Sequence, residues 1–232
     1  MTDHLTTGCA PVDDLLGGGF ERGAVTQVYG EPAAGKTNLA LSAAVAVAAD
    51  GGRAVYVDTE GLSLERFQQL ADAVATPEQS VEDITSRIVV SEAYDFEDQE
   101  QAVRDTADFA DTADLIVLDS ATGFYRLQRG EDQQAGDTLR RLGRQVQHLL
   151  SLARRHDVAV VLTNQVFADP DSDRVRPLGG NTLEHLTAAV LRLDRFRGGN
   201  RRATLEKHRA KAAGESAQFQ ITDAGLSAVE EF

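Results

Sequence analysis

The sequence predicts an α/β protein with a central, mostly parallel sheet, helices on both faces and an antiparallel extension at one edge. Three observations support this fold class. Apolar segments such as LIVLDS (115–120) alternate with helical patterns, a glycine-rich segment joins an early strand to a helix, and the C-terminal part has a hairpin pattern. Continuous apolar strands separated by helices are typical of a parallel sheet covered on both sides.

The parallel part is predicted from β-branched runs that are each followed by a helical pattern. Strands are expected over 24–30, 53–60, 87–93, 115–120 and 158–166, and helices over 36–49, 63–74 and 97–110. The first of these helices should end at Asp50-Gly51-Gly52, because glycine terminates helices. A further long helix carries leucines at 139, 142, 149 and 152. Strand–helix alternation of this kind builds a parallel sheet.

The edge of the sheet is predicted from the C-terminal segments. Residues 189–196 and 201–208 have a hairpin pattern around the turn Arg197-Gly198-Gly199-Asn200. Residues 217–222 form a further strand. No linker or repeat interrupts the chain, so we expect one domain over 1–232.

Composition limits the class and compartment of the protein. The N-terminus has no secretory signal, and the longest apolar run, 39–49, is too short to span a bilayer, so no membrane association is expected. Cys9 is the only cysteine, which indicates a reducing cytoplasmic setting without disulfides or a multi-cysteine metal site, and we expect it to be a small buried residue.

The chain is strongly acidic, with 37 acidic residues against 23 lysines and arginines and a net charge of −14. Such a balance disfavours nucleic-acid binding by net charge alone. Lysine occurs only at positions 36, 207 and 211, and this usage is typical of proteins from salt-loving organisms. At about 1 M salt the Debye length is only about 3 Å, so local clusters of charge matter more than the sum.

Residues 30–37 read GEPAAGKT, which is the P-loop pattern G-x-x-x-x-G-K-T between a strand and a helix. Backbone N–H groups of such a loop and the following helix N-terminus form an anion site. Lys36 is expected to reach the β- and γ-phosphates of ATP, and Thr37 to offer its hydroxyl to Mg²⁺. The predicted nucleotide-binding residues are Gly30, Glu31, Pro32, Ala33, Ala34, Gly35, Lys36, Thr37 and Asn38. The alternative is an ordinary glycine-rich turn.

Polar residues end three other strands, at the edge where ligands bind in open α/β sheets. Asp119 fits the role of an acidic residue that holds the coordination shell of Mg²⁺. Segment 58–60 (DTE) offers a carboxylate to activate water, and segment 164–165 (NQ) offers amides to sense the γ-phosphate. Each residue taken alone is also explained as a helix cap or turn former.

These segments together resemble the RecA/RadA recombinase family over nearly the whole chain. The matching segments are TTGCAPVDDLLGGGFERGAVTQVYGEPAAGKTN (6–38), VDTEG (57–61), LIVLDS (115–120), TNQV (163–166), LGGNTLEH (178–185) and ESAQFQIT (215–222). Asn38 and KHR (207–209) favour an archaeal paralogue of RadA within the family. The resemblance implies a RecA-like P-loop NTPase fold.

The resemblance also implies roles for individual residues. Glu60 corresponds to the catalytic glutamate, Asp119 to the acid near the metal, and Gln165 to the glutamine between the γ-phosphate and a DNA-binding loop. Arg66 corresponds to an arginine that stacks on adenine. Lys207 and Arg209 fall where bacterial RecA places two lysines that reach a neighbouring subunit's γ-phosphate, which keeps self-association open. Solvated charges beyond a hairpin are the alternative for this pair.

Two departures from RadA bear on the expected activity. This chain starts at the ATPase core and has no F-x-x-A motif, so we expect no filament through that contact. The segment after Gln165 is short and carries Asp169, Asp171 and Asp173, which argues against strand exchange.

The segment 123–145 is the candidate DNA-binding region. Its aromatic and basic residues are Phe124, Tyr125, Arg126, Arg129, Arg140, Arg141 and Arg144. Aromatic rings that stack on bases, interleaved with phosphate-binding cations, are typical of single-strand binding. A basic solvated helix face above two packed aromatics is the alternative. A second basic cluster spans Arg192 to Lys211, and the sequence leaves its target open.

The resulting hypothesis is an ATP- and DNA-binding protein of recombination and repair. It is expected to assist RadA, to hydrolyse ATP weakly with Mg²⁺ and not to exchange strands itself. One alternative is a KaiC-type regulatory ATPase without a DNA role, and another is a full recombinase.

Overall fold

The computed structural model describes residues 4–124, 132–168, 175–178, 180–196 and 199–229. The helices are α1 (Ala10–Leu16), α2 (Lys36–Ala49), α3 (Leu64–Val74), α4 (Val81–Thr85), α5 (Phe96–Asp105), α6 (Asp132–His156) and α7 (Gly180–Leu186), with a 3₁₀ turn at Thr106–Asp108. The strands are β1 (His4–Leu5), β2 (Phe20–Glu21), β3 (Val25–Gly30), β4 (Ala54–Asp58), β5 (Ile88–Glu92), β6 (Leu115–Asp119), β7 (Ala159–Asn164), β8 (Val166–Ala168), β9 (Val175–Pro177), β10 (Ala189–Arg195), β11 (Asn200–His208), β12 (Ser216–Thr222) and β13 (Gly225–Ala228).

The main sheet has nine strands in the order β13-β12-β11-β10-β3-β7-β6-β4-β5. Strands β10, β3, β7, β6, β4 and β5 run parallel, and β11, β12 and β13 add to β10 in antiparallel pairs. The predicted parallel sheet with an antiparallel edge is confirmed. Strand β10 belongs to both parts, since it pairs parallel with β3 and antiparallel with β11.

Two apolar cores lie on opposite faces of the sheet. One core packs α1 and α2 against the sheet, and it includes Leu39, Val45 and Tyr56. The other packs α5 and α6, and it includes Phe96 and Leu149. Helix α2 is buried on nearly every side, because its alanines allow close approach of the sheet and of α3 and α4. This burial fixes the helix whose N-terminus follows the glycine-rich loop.

Cys9 is buried and free, as the sequence predicted. Burial raises the pKa of its thiol to about 11. Among the described residues, no helix is both long and apolar enough to cross a bilayer.

The helix predicted over 97–110 is too long. Helix α5 starts at Phe96, with Asp95 accepting hydrogen bonds from the backbone N–H groups of residues 97 and 98, and it ends at Asp105. The Thr106 hydroxyl then donates to the Val103 carbonyl, and the chain tightens into the 3₁₀ turn. Local hydrogen bonding by a threonine side chain competes with the helical ladder at this point.

Several short elements were not predicted, including α1, α4, α7 and β13. Helix α1 has a proline in its first turn and ends at Leu16. The next residue, Gly17, has the positive φ of 87° that favours glycine after a helix. Its seven residues show too little periodicity to be recognised from the sequence. Helix α4 is five residues long and begins with a capping box between Ser80 and Asp83.

Candidate nucleotide-binding site

A cavity of about 400 Å³ opens at the carboxyl end of β3. It is lined by Gly30, Pro32, Ala33, Gly35, Lys36, Thr37, Asn38, Glu60, Gln165, Val166, Arg201 and Ile221. Most of the sequence-predicted nucleotide and catalytic residues therefore meet in one place. The P-loop comes from the chain between β3 and α2, and the other lining residues come from both sides of β3 in the sheet.

Two glycines allow the loop its path. A Cβ on Gly30 would lie 2.3 Å from the carbonyl oxygen of Leu193 on the adjacent strand β10, so a side chain does not fit there. Gly35 has a φ of 104° and forms the N-cap of α2. Positive φ at this point lets the loop turn into the helix and keeps its N–H groups facing the cavity. This backbone is a fitting cradle for phosphate oxygens.

The ammonium group of Lys36 is held inside the loop. Its Nζ atom donates to the carbonyl oxygens of Gly30 at 2.9 Å and Glu31 at 3.1 Å. Burial lowers the pKa of Lys36, and the nearby carboxylates of Glu60 and Asp119 partly offset that effect. The cation is thus held in position beside the loop. Its present partners are neutral carbonyls, and a negatively charged phosphate forms a stronger hydrogen bond with an ammonium group than they do.

Asp119 lies beneath the loop at the end of β6 and is 1% exposed. Its carboxylate accepts hydrogen bonds from the hydroxyls of Tyr56, at 2.6 Å, and Thr163. Burial raises its pKa, while these two bonds and the nearby Thr37 hydroxyl act in the opposite direction. Thr37 and Asp119 are thereby adjacent, as their predicted shared role requires.

This oxygen donor set fits Mg²⁺, which prefers hard oxygen ligands and keeps waters and phosphate oxygens in its shell. Both oxygens of Asp119 already accept hydrogen bonds. Its carboxylate is therefore suited to contact Mg²⁺ indirectly, through the Thr37 hydroxyl or a water molecule. Among the described residues no group of three or more His, Cys, Asp or Glu side chains forms a metal cluster. The metal would therefore depend on the nucleotide for most of its ligands.

Glu60 and Gln165 are joined directly at the cavity wall. The Gln165 Nε2 atom donates to Glu60 Oε1 at 2.7 Å, and the Ser120 hydroxyl donates to the same oxygen at 2.6 Å. The Oε1 atom of Gln165 has no hydrogen-bond partner within the described parts of the chain. The pair therefore presents the Glu60 carboxylate near the P-loop, while the unpaired amide oxygen of Gln165 is buried.

Neighbouring polar residues hold this pair in place without facing the cavity. Asp58 accepts hydrogen bonds from the backbone N–H groups of Glu60 and Gly61, both at 3.1 Å, and so shapes the turn after β4. Asn164 is buried, accepts from the Thr122 hydroxyl and donates to the Leu178 carbonyl at 2.7 Å. Within the segments DTE and NQ, Glu60 and Gln165 are the residues that line the cavity.

Three predicted nucleotide-binding residues stand outside the cavity lining. The Glu31 side chain is exposed, although its carbonyl binds Lys36, and Ala34 is buried beneath the loop. Arg66 on α3 donates from Nε to Asn38 Oδ1 at 2.8 Å and from a terminal nitrogen to the Asp223 carbonyl at 3.3 Å. Arg66 therefore lies next to the predicted site, but these contacts hold its guanidinium to α2 and to the β12–β13 turn.

Lys207 and Arg209 lie at the opposite end of the sheet from the P-loop. Lys207 pairs with Val190 of β10, which in turn pairs with Gln27 of β3. The Lys207 Nζ donates to the carbonyls of Glu184 and, at 2.8 Å, Thr187. Arg209 forms an ion pair with Glu21. Neither residue reaches the cavity of its own chain.

The predicted DNA-binding residues divide into three groups, namely those outside the described residues, Phe124, and the arginines of α6. Tyr125, Arg126 and Arg129 lie outside the described residues. Phe124 is partly buried and packs against the core beneath α6, so that ring is engaged in packing.

Helix α6 carries the described arginines of this group. Arg140 and Arg144 are exposed and four residues apart, so they share one face of the helix. Arg140 also makes a long 3.9 Å contact with Asp137. Arg141 instead pairs with Glu100 at 2.6 Å and stacks 4.8 Å from the Phe96 ring. Two of these three arginines thus remain available at the surface.

Sequence reasoning missed four residues at this site, namely Ser120, Val166, Arg201 and Ile221. Arg201 sits on β11 and is only 9% exposed. A signal for it existed, because Arg201, Ala203 and Leu205 alternate along the strand and are all buried. That period places Arg201 on the inner face, while Arg202 lies on the other.

The nine-stranded sheet with a P-loop after β3, flanked by Glu60 and Gln165, defines a RecA-like P-loop protein. A family model described as Rad51 matches residues 2–229. The DNA repair and recombination protein RadB of Halobacterium salinarum is 68% identical over 227 residues, covering 97% of this chain and 95% of that protein. RadB of Methanococcoides burtonii is 40% identical, with 97% and 98% covered.

A solved structure, described as the crystal structure of the RadB recombinase, superimposes with a TM-score of 0.81 at 36% identity. It covers 97% of this chain and 100% of its own. The chain belongs to the Rad51 family. Members of this family and of RecA are nucleotide-dependent ATPases.

Proposed function

We propose that this protein binds ATP with Mg²⁺ in the cavity over β3 and acts in DNA recombination and repair as an accessory to RadA in the cytoplasm. The observation that carries the nucleotide part is the convergence of Lys36, Glu60 and Gln165 on one cavity above the P-loop. The relatives named DNA repair and recombination protein RadB support the recombination part. We further propose that residues 1–232 act as one ATPase-core domain.

Nucleotide binding follows from the charges in the cavity. Lys36 exchanges its two carbonyl partners for phosphate oxygens, and the N–H groups at the start of α2 bind the same group. The Thr37 hydroxyl, oriented by Asp119, would hold Mg²⁺. When bound, Mg²⁺ supplies positive charge that neutralises phosphate oxygens and the leaving group.

Hydrolysis would use Glu60 as the base that orients a water molecule and accepts its proton. The hydrogen bonds from Ser120 and Gln165 fix the orientation of its carboxylate. Gln165, which lines the cavity and directly precedes β8, would respond to the terminal phosphate and transmit the state of the site to that strand.

We infer weak turnover, because Lys207 and Arg209 lie far from this cavity and bind other groups of their own chain. A cation supplied in trans would then be needed for full stabilisation of the transition state.

A DNA role is proposed from two supports. The exposed arginines 140 and 144 share a face of α6 within segment 123–145, which matches a DNA-binding loop of RecA-type proteins. At high salt, a local cluster of this kind can act despite the net charge of −14.

The nucleotide and DNA parts are tested by separate measurements. Calorimetric titration with ADP and with a non-hydrolysable ATP analogue, in Mg²⁺, tests the cavity. Titration of fluorescent single-stranded and branched DNA across a salt series, with and without nucleotide, tests the second part. A linear fall of log K with log salt is the expected result. Absence of DNA binding even at low salt would favour a regulatory ATPase.

The accessory role is tested against the full-recombinase alternative. RadA from the same organism should be retained on the immobilised protein, with retention that differs between ATP and ADP. Size-exclusion chromatography with ATP and single-stranded DNA should show small species. Long filaments, or strand exchange by this protein alone, would contradict the accessory role.

A further inference from the structure

Arg201 is a buried cation that faces the nucleotide cavity without a matching anion. It is 9% exposed and lines the cavity with Lys36. Its Nε atom has no hydrogen-bond partner, and no carboxylate pairs with it in the parts of the chain that the structure describes. Arg195, of like charge, lies opposite it on β10. A buried guanidinium normally has a counter-anion, since an unpaired buried charge is costly.

The position of Arg201 relative to the P-loop is specific. Its Nε would lie 3.7 Å from a Cβ on Gly35, the residue at the start of α2. Its terminal nitrogen Nη1 donates to the carbonyls of Gly199 at 2.8 Å and Asn200 at 3.1 Å. One side of the guanidinium is therefore fixed to the β10–β11 turn, while Nε is buried next to Gly35 without a partner, in a residue that lines the cavity.

The sheet order separates Arg201 from the catalytic pair. Strands β4, β6 and β7, which present Glu60 and Gln165, lie on one side of β3. Strands β10, β11 and β12, which present Arg201 and Ile221, lie on the other. A nucleotide whose terminal phosphate faces Glu60 therefore places the phosphates nearer its ribose toward Arg201.

We propose that Arg201 is a nucleotide-binding residue that contacts the phosphates shared by ATP and ADP within the same subunit. This inference rests on the proposed function and adds a second cation to Lys36. Arg201 binds ground state and transition state alike and is not a catalytic residue. Uniform binding of this kind changes affinity and KM without changing kcat.

The test compares Arg201→Gln with Arg202→Gln as a matched control. Arg202 is the next residue on β11, points to the opposite face and stacks 4.5 Å from the Phe196 ring. Titrations with ADP, a non-hydrolysable ATP analogue and inorganic pyrophosphate are made in Mg²⁺. For Arg201→Gln we expect all three affinities to fall by a similar factor, about 10- to 100-fold, because a charge-assisted hydrogen bond is lost. Arg202→Gln should match the wild type.

Unfolding without ligand separates binding from a structural role. Arg201→Gln should be at least as stable as the wild type without nucleotide, because it removes an unpaired buried charge. The stabilisation gained on adding ADP should be smaller. If the variant is instead less stable and its folded fraction binds ADP as tightly as the wild type, Arg201 only holds the turn and the inference is wrong.

The remaining outcomes each decide the assignment. Loss confined to the ATP analogue would place Arg201 at the terminal phosphate, and loss confined to the nucleotides, with pyrophosphate unaffected, would place it at the nucleoside. Either result overturns the inference. Wild-type protein that binds no ADP would refute the proposed function together with it, whereas equal binding by wild type and Arg201→Gln would refute the inference alone.

Discussion

The Gln165 side-chain amide donates a 2.7 Å hydrogen bond to the Glu60 carboxylate, although 105 residues separate them in the chain. Glu60 follows β4 and Gln165 follows β7, and β6 lies between these strands in the sheet. Ser120, which follows β6, donates to the same Glu60 oxygen. Three strand ends thus fix one carboxylate, and this arrangement leads to the first two predictions.

Glu60→Gln should retain nucleotide binding and suppress turnover. The amide oxygen can accept the bonds from Ser120 and Gln165, so the geometry is kept while the base is lost. General-base catalysis contributes about 10²–10⁴-fold in rate, and a fall of that order is expected. Phosphate release under single-turnover conditions provides the measurement, with affinity for the ATP analogue determined in parallel. Unchanged release would show that Glu60 is not the base.

Gln165→Ala should uncouple the nucleotide from the rest of the molecule. The change removes the hydrogen bond to Glu60 and the side-chain amide of a cavity-lining residue, but leaves the P-loop contacts intact. Affinity for the ATP analogue should stay within about tenfold, since the P-loop contacts remain and a single hydrogen bond contributes about 0.5–1.5 kcal/mol. The difference in DNA affinity with and without nucleotide should disappear, as measured by fluorescence anisotropy. Persistence of that difference would refute the coupling role.

Lys36→Ala should weaken ADP and ATP binding by about 100-fold, because the phosphate loses a charge-assisted contact. Lys211→Ala is the matched control. Like Lys36, Lys211 donates to two backbone carbonyls, those of Asp14 and Leu15, but it lies at the end of α1 away from the cavity. Calorimetry should show near wild-type affinity for the control. Equal affinities for the two variants would count against the P-loop as the nucleotide site.

Asp119→Asn should change how stability depends on pH in the absence of nucleotide. The unfolded carboxyl ionises near its ordinary pKa of about 3.9, while burial holds the folded-state pKa higher. The folded state therefore binds more protons between these values, and the wild type loses stability as pH rises through that interval. The stability of Asp119→Asn relative to the wild type should increase over the same interval, as measured by urea unfolding at several pH values.

The same variant should bind nucleotide with a weaker dependence on Mg²⁺, because the partner of the Thr37 hydroxyl has lost its charge. Parallel stability curves for the two proteins between about pH 4 and 8 would contradict the assigned cause of the raised pKa. Unaltered Mg²⁺ dependence would remove Asp119 from the metal site.

Much of the fold followed from local patterns. The helix predicted from Lys36 to about residue 49 is confirmed as α2, Lys36–Ala49, since a strand-ending glycine, the P-loop and the Asp50-Gly51-Gly52 stop leave little freedom. The helix over 97–110 was too long because the periodicity of α5 continues past Asp105, where Thr106 satisfies a backbone carbonyl with its own hydroxyl.

At the site, the sequence by itself determined the P-loop, because its glycines and lysine act through a contiguous strand, loop and helix. It also indicated Glu60, Asp119 and Gln165 as strand-end residues, since parallel strands bring their carboxyl ends to one edge. Only the tertiary structure decided which of these side chains touch: Glu60 meets Gln165, while Asp58 and Asn164 turn to backbone and buried partners. The alternation along β11 indicates that Arg201 lies on the inner face, but Arg201 reaches the cavity only through the pairing of β10, β11 and β12, a register that depends on contacts between distant segments.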